Sequence, residues 1–331
     1  MNITVLGAGS WGTTVATVAA RRNPTTIWAR NEDQVRDMNE RHTNSRYLEG
    51  FPLPEKLLAT ADLEEAASEA DVLVVGIPSY GFRGVLEQAS PYVRPWIPVV
   101  SLTKGFEYGT YMRMTEVIKD VLPGRPAAAL TGPNIAKEIM AGFAAASVIA
   151  TEDLNVANAL QNVLRRGLFR IYTNHDVVGC EVGGALKNVV AIAAGMAQGL
   201  GVGDNTRSMV ITRGLSELTR LGVAMGGDPM TFSGLAGMGD LMVTCISPHS
   251  RNRHVGEQLG KGVPLEEILS GMTMVAEGVK TAGLVMELAE RYGVELPICS
   301  RINGVVSGEL SVLDAYEGLM RSAPGHEAEP G

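Results

Sequence analysis

Lys187 is the residue of this sequence whose surroundings suggest chemistry most directly. It lies in the run Glu181–Met196, which otherwise consists almost wholly of Gly, Ala, Val, Leu and Ile. A lysine ammonium among apolar residues needs a partner, and burial lowers the pKa of a lysine. Such a lysine can exchange a proton with a substrate oxygen near neutral pH. The alternative is that its long stem carries the ammonium out to solvent.

A glycine pattern at the N-terminus is the second candidate site. Gly7, Gly9 and Gly12 form a G-x-G-x-x-G that follows a short apolar run and precedes a helix-compatible segment. In such a turn the first glycine permits the tight bend, the second admits a pyrophosphate, and the third lets helix and strand pack closely. The helix N-terminus then holds the phosphates, and Ser10 can add a hydroxyl. The pattern predicts a dinucleotide site, with a chance glycine turn as the alternative.

The end of the second predicted strand bears on the choice of dinucleotide. NAD-specific sites place an Asp or Glu there for the ribose 2′-hydroxyl, whereas this chain has Arg30 and no carboxylate until Glu32. A cation tolerates a 2′-phosphate, so we expect NADPH to be accepted, alongside NADH. Arg30 can also be an ordinary exposed arginine.

Several residues could hold an anionic substrate. Ser250, Arg251 and Asn252 stand at a predicted loop-to-helix boundary, where an N-cap and a guanidinium can bind phosphate together. A surface cap with a solvated arginine fits the same residues. Asp240, in a glycine-rich apolar loop, needs a lysine, a backbone nest or a substrate hydroxyl as its partner. Lys104 lies just beyond the carboxyl end of a predicted strand, where open α/β sheets bind ligands. An ordinary ion pair is the alternative for both residues.

The elements that must position these residues change along the chain. The first half alternates strands with helices, which predicts a mainly parallel sheet covered on both faces. The predicted strands are Asn2–Leu6, Thr25–Trp28, Val72–Gly76, Val99–Leu102, Ala127–Leu130 and Ala144–Ala150. The predicted helices are Trp11–Arg22, Asp33–Arg41, Asp62–Ala70, Phe82–Ala89 and Met112–Leu122.

After about Asn174 only helical periods remain. Apolar residues recur at helical spacing over Ile211–Leu221, Thr281–Tyr292 and Val312–Arg321. Glycine-bearing loops are predicted at Met225–Asp228, Gly234–Gly239 and Ser247–Arg251. The predicted class is α/β: a Rossmann-like domain over 1–180, then an all-helical substrate-binding domain over 181–321. The Lys187 helix lies at their junction, and residues 322–331 are predicted to be a disordered tail.

Composition narrows the classes of function. The chain has 331 residues, is 45% hydrophobic and carries a net charge of −8, which disfavours nucleic acid and anionic membranes as partners. Its three cysteines form no C-x-x-C pair, so we expect neither disulfides nor a metal site. Val189–Leu200 is the most apolar stretch and is judged too short to span a bilayer. Without a basic leader, the protein is expected to be soluble and cytoplasmic.

Taken together, the motifs resemble those of the bacterial NAD(P)-dependent glycerol-3-phosphate dehydrogenases. The resemblance runs from Ile3 to about Arg321. It rests on seven segments in order: Gly7–Thr13, Ser101–Glu107, Leu130–Pro133, Gly183–Val189, Gly234–Asp240, Ser250–Asn252 and Val275–Gly278.

The resemblance implies a role for each matching residue. Lys187 would be the proton donor and acceptor. The residues that would surround the substrate are Lys104, Gly132, Asn134, Asn188, Asp240, Ser250, Arg251 and Asn252. Those that would line the cofactor are Gly7, Gly9, Ser10, Trp11, Gly12, Arg30, Lys104, Ala136, Arg251, Val275 and Glu277. Asn134 departs from the family, which often has serine there, and its amide can still donate and accept hydrogen bonds.

The implied reaction interconverts sn-glycerol 3-phosphate and dihydroxyacetone phosphate. Its working direction would be ketone reduction for phospholipid synthesis, in a homodimer. A ketopantoate-reductase-like or hydroxyacid dehydrogenase is the runner-up, although it has little use for a phosphate site at Ser250–Arg251. A third hypothesis is a sensor that binds the dinucleotide but catalyses no reaction, and it does not explain a buried lysine.

Overall fold

The computed structural model describes residues 1–272 and 276–321. The chain divides into two compact units, of which the first is Met1–Val177 and the second begins at Val178.

The first unit is built on one sheet of eight strands in the order β3-β2-β1-β4-β5-β6-β7-β8. All neighbours are parallel except β6 and β7. The strands are β1 Ile3–Leu6, β2 Thr25–Trp28, β3 Leu57–Thr60, β4 Val72–Val75, β5 Val99–Ser101, β6 Ala127–Thr131, β7 Ala145–Ala150 and β8 Phe169–Asn174. Strands 1 to 6 follow the doubly wound dinucleotide-binding order, whose switch point lies between β1 and β4.

Helices cover both faces of this sheet. They are α1 Ser10–Ala20, α2 Glu32–Glu40, α3 Leu63–Ser68, α4 Ser79–Ala89, α5 Met114–Val121, α6 Ala136–Met140 and α7 Leu154–Leu164. Successive strand residues point to opposite faces of the sheet and so pack in two separate apolar cores. Val5 packs in the core that includes α1, whereas Leu6 packs in the core that includes α4 and α5. Burial of both faces explains why the central strands are continuous apolar runs.

The predicted α/β class with a following helical region is confirmed. The six predicted strands and five predicted helices are present, with ends shifted by up to three residues. The prediction missed β3 and β8, which are the two edges of the sheet, and the helices α6 and α7. Leu58 and Tyr172 are exposed on these edge strands, so neither forms the continuous apolar run by which the others were found.

The described residues of the second unit form helices joined by loops, with no strand among them. Its helices are α8 Val177–Gly199, α9 Asp204–Ala224, α10 Pro229–Phe232, α11 Asp240–Ile246, α12 Arg251–Gly260, α13 Leu265–Ser270, α14 Glu277–Tyr292, α15 Pro297–Val306 and α16 Val312–Arg321. The prediction of a loop over Gly234–Gly239 is wrong, because Leu235–Gly239 forms a π-helical turn that leads directly into α11. The amide of Gly239 donates to the carbonyl of Gly234 at 3.0 Å.

Helix α8 forms the centre of the second unit. It has 23 residues, so the prediction that its apolar stretch is too short to cross a bilayer is wrong on length. Its most apolar window is 94% buried within the protein, as expected of a core helix.

Glycines let α8 and α12 cross with their backbones in contact. A Cβ at Gly195 would overlap the carbonyl oxygen of Arg253, and one at Gly256 would overlap that of Ile192. A Cβ at Gly260 would lie 2.6 Å from the carbonyl oxygen of Met196. Because no side chain separates the helices here, the start of α12 is fixed close to the middle of α8.

Candidate active site

The glycine-rich turn joins β1 to α1 at the switch point of the sheet. Gly7 has φ +110°, a left-handed conformation that favours glycine, and a Cβ there would lie 2.7 Å from the carbonyl oxygen of Gly76. A Cβ at Gly12 would overlap the carbonyl oxygen of Gly7. Both glycines are therefore required by close backbone packing.

Gly9 differs from its two neighbours. A Cβ at Gly9 would meet no atom within 4 Å, so the space beside it is open. Gly9 is the N-cap of α1 and carries no side-chain cap. Open space in front of a helix N-terminus suits the pyrophosphate of a dinucleotide, so the residues present fit an NAD(P) cofactor.

Two amide side chains hold this turn by hydrogen bonds, and neither was predicted from the sequence. Gln34 Nε2 donates to the Ala8 carbonyl at 2.7 Å, and Asn44 Nδ2 donates to the same carbonyl at 3.0 Å. Asn44 also donates to Thr13 Oγ1 at 2.8 Å and is only 1% exposed. Gln34 lies in a predicted helix and Asn44 in the polar segment after it, and the backbone group that both contact lies far from them in the sequence.

The other residues expected at the cofactor flank the turn. Ser10 Oγ donates to the Tyr47 carbonyl at 3.0 Å. The Trp11 ring meets the Phe169 ring edge-on, with 6.2 Å between centroids. Arg30 is exposed two residues after β2, and Ala136 opens α6 after β6.

The carboxyl ends of β5 and β6 bring three expected substrate residues together. Lys104 Nζ donates to the Gly132 carbonyl at 2.8 Å. Gly132 has φ +110°, and its Cβ would lie 3.3 Å from the Cα of Ser147. The Ser147 hydroxyl donates a hydrogen bond to Asn134 Oδ1, and Asn134 Nδ2 is buried with no hydrogen-bond partner among the described residues. The asparagine at the departing position is thus tied to β7.

In the second unit, Lys187 is buried in an ion pair. Its residue is 5% exposed, so the alternative in which it extends to solvent is wrong. Its ammonium pairs with the Asp240 carboxylate, whose side chain is 1% exposed, and donates to Thr244 Oγ1 at 2.7 Å. Thr244 Oγ1 in turn donates to the Asp240 carbonyl at 2.6 Å. The lysine was one of the three partners expected for Asp240, and it compensates the cost of burying that charge.

The local backbone explains how Asp240 reaches Lys187. Gly183 lies one helical turn before Lys187, and a Cβ there would lie 2.8 Å from the Ala236 carbonyl oxygen. The π-helical turn therefore packs directly on α8 and carries Asp240 at its end. Cys245 lies in the same surroundings, and burial raises the pKa of its thiol to about 12. Its thiol therefore stays protonated and is a poor nucleophile.

Asn252 ties the start of α12 to two other helices. Its Nδ2 donates to Asn188 Oδ1 at 2.9 Å, next to Lys187 on α8. Its Oδ1 accepts from the Gly278 amide at 3.0 Å, at the start of α14. Ser250 is the N-cap of α12, as predicted, and accepts from the Arg253 amide at 3.3 Å.

Arg251 is the first residue of α12 and Glu277 the first of α14. The Arg251 side chain keeps exposed surface, yet desolvation lowers its pKa, and the Glu277 carboxylate opposes this. An arginine remains a cation in proteins, so this helix start carries positive charge suited to an anion. Val275 lies outside the described residues.

The structure thus forms two groups of expected residues. The glycine turn and Lys104–Gly132–Asn134 belong to the first unit. Lys187, Asn188, Asp240 and the start of α12 belong to the second. The buried carboxylate of Glu217 was missed: it accepts from the Ile298 amide at 2.6 Å and from the Cys299 amide at 3.0 Å. Its partners lie some eighty residues away in the sequence, at the start of α15, and no local sequence pattern predicts them.

Comparison with known proteins supports one family over the whole chain. The model of the NAD-dependent glycerol-3-phosphate dehydrogenase N-terminus matches residues 2–157, and that of the C-terminus matches 176–317. A glycerol-3-phosphate dehydrogenase (NAD(P)+) of Sphingopyxis alaskensis is 56% identical over 331 residues, covering 100% of this chain and 99% of the relative. A crystal structure of glycerol-3-phosphate dehydrogenase from Coxiella burnetii is 34% identical with a TM-score of 0.93, covering 97% of this chain and 99% of that one.

The runner-up class shares the fold alone. A ketopantoate reductase of the PanE/ApbA family from Ralstonia eutropha superposes with a TM-score of 0.60 at 15% identity, covering 96% of this chain and 100% of that one. Because the two family models and the full-length relative agree, the chain belongs to the NAD-dependent glycerol-3-phosphate dehydrogenase family, and it is an oxidoreductase with that activity that uses NAD(P).

Proposed function

We propose that the enzyme works mainly as a reductase, converting dihydroxyacetone phosphate to sn-glycerol 3-phosphate for phospholipid synthesis. The observation that carries the proposal is the buried group of Lys187, Asp240 and Thr244. An ammonium held at 5% exposure by a carboxylate and a hydroxyl is arranged to deliver a proton within a protein interior.

Lys187 is the proposed general acid. The reduced nicotinamide, when bound, supplies the hydride for the ketone carbon. As negative charge grows on the carbonyl oxygen, Lys187 Nζ donates a proton to it, and the product is an alcohol. Asp240 stabilises the ammonium form beforehand, so the lysine enters the reaction with its proton in place. In the reverse direction the same lysine accepts the proton.

The start of α12 is the proposed phosphate clamp. Arg251 can grip phosphate oxygens in bidentate fashion, and Ser250 and Asn252 flank it at the helix N-terminus. Asn188 follows Lys187 directly on α8 and accepts a hydrogen bond from Asn252 of this clamp. From the first unit, the proposed substrate residues are Lys104, Gly132 and Asn134.

The first domain, 1–180, is proposed to supply most of the cofactor residues, and the second, 181–321, most of the substrate residues. The proposed cofactor residues are Gly7, Gly9, Ser10, Trp11, Gly12, Arg30, Lys104, Ala136, Arg251, Val275 and Glu277. Arg30 and the absence of an acidic residue beside it favour NADPH, with NADH also accepted.

We further propose a cytoplasmic homodimer that does not insert into membranes. The free cysteines Cys180, Cys245 and Cys299 are all buried, which fits a reducing compartment. Among the described residues, one helix, α8, is both long and apolar enough to cross a bilayer, and it is buried as the core of its unit. Light scattering of the purified protein tests the dimer.

Steady-state oxidation of NADPH and NADH by the purified enzyme tests the reaction. We expect turnover with dihydroxyacetone phosphate and little with ketopantoate or with unphosphorylated dihydroxyacetone, because only a phosphate engages Arg251. Arg251→Ala should lower the ratio of kcat/KM for dihydroxyacetone phosphate to kcat/KM for unphosphorylated dihydroxyacetone. A kcat/KM for ketopantoate equal to that for dihydroxyacetone phosphate would contradict the proposal.

A further inference from the structure

We propose that Asn44 is a positioning residue for the cofactor, which turns the Ala8 carbonyl away from the pyrophosphate. The inference rests on the proposed role of the Gly7–Gly12 turn. Asn44 lies in the segment after α2, more than thirty residues from the turn, and makes no part of the G-x-G-x-x-G pattern.

The side-chain amide of Asn44 makes three hydrogen bonds. Its Nδ2 donates to the Ala8 carbonyl at 3.0 Å and to Thr13 Oγ1 at 2.8 Å. Its Oδ1 accepts from Gln34 Nε2 at 3.1 Å, and Gln34 also donates to the Ala8 carbonyl at 2.7 Å. A backbone carbonyl can only accept, so the orientation of the Asn44 amide is fixed by the network.

The Ala8 carbonyl is the group that most needs such control. It lies between Gly7 and Gly9, two residues with wide backbone freedom, directly before the N-terminus of α1. If this peptide rotated, its carbonyl oxygen would face the phosphates and repel them. Two donors on one carbonyl hold the oxygen on the side of Asn44, so the turn keeps its amide groups for the anion.

The segment that carries Asn44 is itself anchored on the turn. The amides of Tyr47 and Leu48 donate to the Asn44 carbonyl at 3.1 and 2.8 Å. The Tyr47 carbonyl accepts from Ser10 Oγ at 3.0 Å, at the first residue of α1. Asn44 is only 1% exposed, so water has little access to replace its bonds.

Asn39 offers a matched control on the same stretch of chain. Its side chain also makes a paired contact with backbone, donating to the Ala59 carbonyl and accepting from the Ala59 amide, both at 2.8 Å. These bonds tie α2 to β3 and do not touch the glycine turn. A general loss of stability in this region would therefore affect both positions alike.

The test compares Asn44→Ala and Asn44→Asp with Asn39→Ala and Asn39→Asp in the full-length enzyme. We expect the NADPH Kd, measured by fluorescence titration, to rise about tenfold for Asn44→Ala and further for Asn44→Asp, which adds a negative charge beside the turn. The KM for NADPH should follow, while kcat at saturating NADPH and the KM for dihydroxyacetone phosphate stay unchanged. The Asn39 variants should bind NADPH as the wild type does, whatever their Tm.

Equal NADPH affinity of the Asn44 and Asn39 variants would overturn the inference. Gly9→Ala separates this result from a failure of the proposed cofactor site. If Gly9→Ala loses affinity while the Asn44 variants do not, the turn holds the cofactor without help from Asn44. If neither change affects affinity, the proposed role of the turn falls as well.

Discussion

The glycine turn of the first unit and the lysine group of the second solve opposite problems. The turn holds no charged side chain: it is made of close backbone contacts around Gly7 and Gly12 and is braced by neutral amides. The lysine group buries two opposite charges, with Lys187 and Asp240 side chains 6% and 1% exposed. A dinucleotide arrives with its charge fixed, so peptide dipoles suffice to bind it. A proton must be held and then released, which requires a titratable side chain.

The two regions should therefore fail in different ways. Substitutions in the turn act by steric overlap, because its backbone leaves no room for a Cβ at two of its three glycines. Substitutions in the lysine group act through charge, because each partner would leave the other buried and unpaired.

The largest expected effect is on turnover at the lysine group. Lys187→Ala should lower kcat by about 10²–10⁴-fold, since a positioned general acid is lost, and leave the NADPH Kd unchanged. Lys261, half-exposed in an ion pair with Glu257, provides the control: Lys261→Ala should keep full turnover.

Lys187→Ala also strands the buried Asp240 carboxylate, at a cost of about 3–5 kcal/mol in the free energy of unfolding. The double variant Lys187→Met with Asp240→Asn removes both charges and should regain part of that stability without regaining turnover. A kcat near the wild-type value in either variant would show that Lys187 is not the general acid.

A second comparison separates two glycines of the turn. Gly12→Ala should destabilise the fold by about 1–3 kcal/mol, because its Cβ overlaps the Gly7 carbonyl oxygen. Gly9→Ala should leave the unfolding free energy nearly unchanged, since its Cβ meets open space, yet weaken NADPH binding on the order of tenfold. Urea unfolding and NADPH titration of both variants measure the two effects. Equal losses of stability would mean that the two positions are not distinct.

A third substitution tests the hydroxyl beside the lysine. Thr244→Val keeps the shape but removes the acceptor of Lys187 Nζ, so kcat should fall about tenfold while the Kd for NADPH stays constant. Thr219→Val is the matched control, because Thr219 makes the same bond to the carbonyl four residues earlier, at 2.8 Å, without touching Lys187. If both variants lose turnover equally, the hydroxyl acts only through helix packing.

The smallest expected effect concerns Glu217, a buried carboxylate with no substrate role. Burial raises its pKa above the usual 4.5, although the amides of Ile298 and Cys299 oppose the shift. Stability from such a group is fully present below its unfolded pKa and is lost as pH rises through its folded pKa. Glu217→Gln removes this dependence and one acceptor, worth about 1 kcal/mol. The stability gap between wild type and variant should therefore be widest in acid and narrow toward neutral pH.

Urea unfolding from acid to neutral pH follows this gap, with Glu290→Gln, at an exposed carboxylate, as the control. A gap that widens toward neutral pH would mean that the two amide bonds outweigh desolvation.

The sequence predicted what depends on local pattern and missed what depends on distant partners. The central strands and the glycine turn were predictable, because buried parallel strands are continuous apolar runs and the turn has a fixed glycine spacing. The edge strands β3 and β8 were missed because half of their residues face outward, as Arg170 and Tyr172 do. The sequence of α8 alone does not determine whether Lys187 is buried, because its ion-pair partner Asp240 lies on another element.

The same limit applies to Asn44 and Glu217. Each hydrogen-bonds backbone groups more than thirty residues away in the sequence, and neither belongs to a sequence motif that predicts such a partner. The resemblance supplied the family but not these supports, because they lie beside the motifs and not within them.

The crossing of α8 and α12 has a consequence for how this enzyme can change. Its contact surface is made of peptide groups at Gly195 and Gly256, and peptide groups have no rotamers that could absorb a small change. Even one added methyl group must push the helices apart, so no substitution at these two glycines can change the helix spacing by a small amount. Random mutagenesis at Gly195 and Gly256 should therefore yield only wild-type-like or inactive clones.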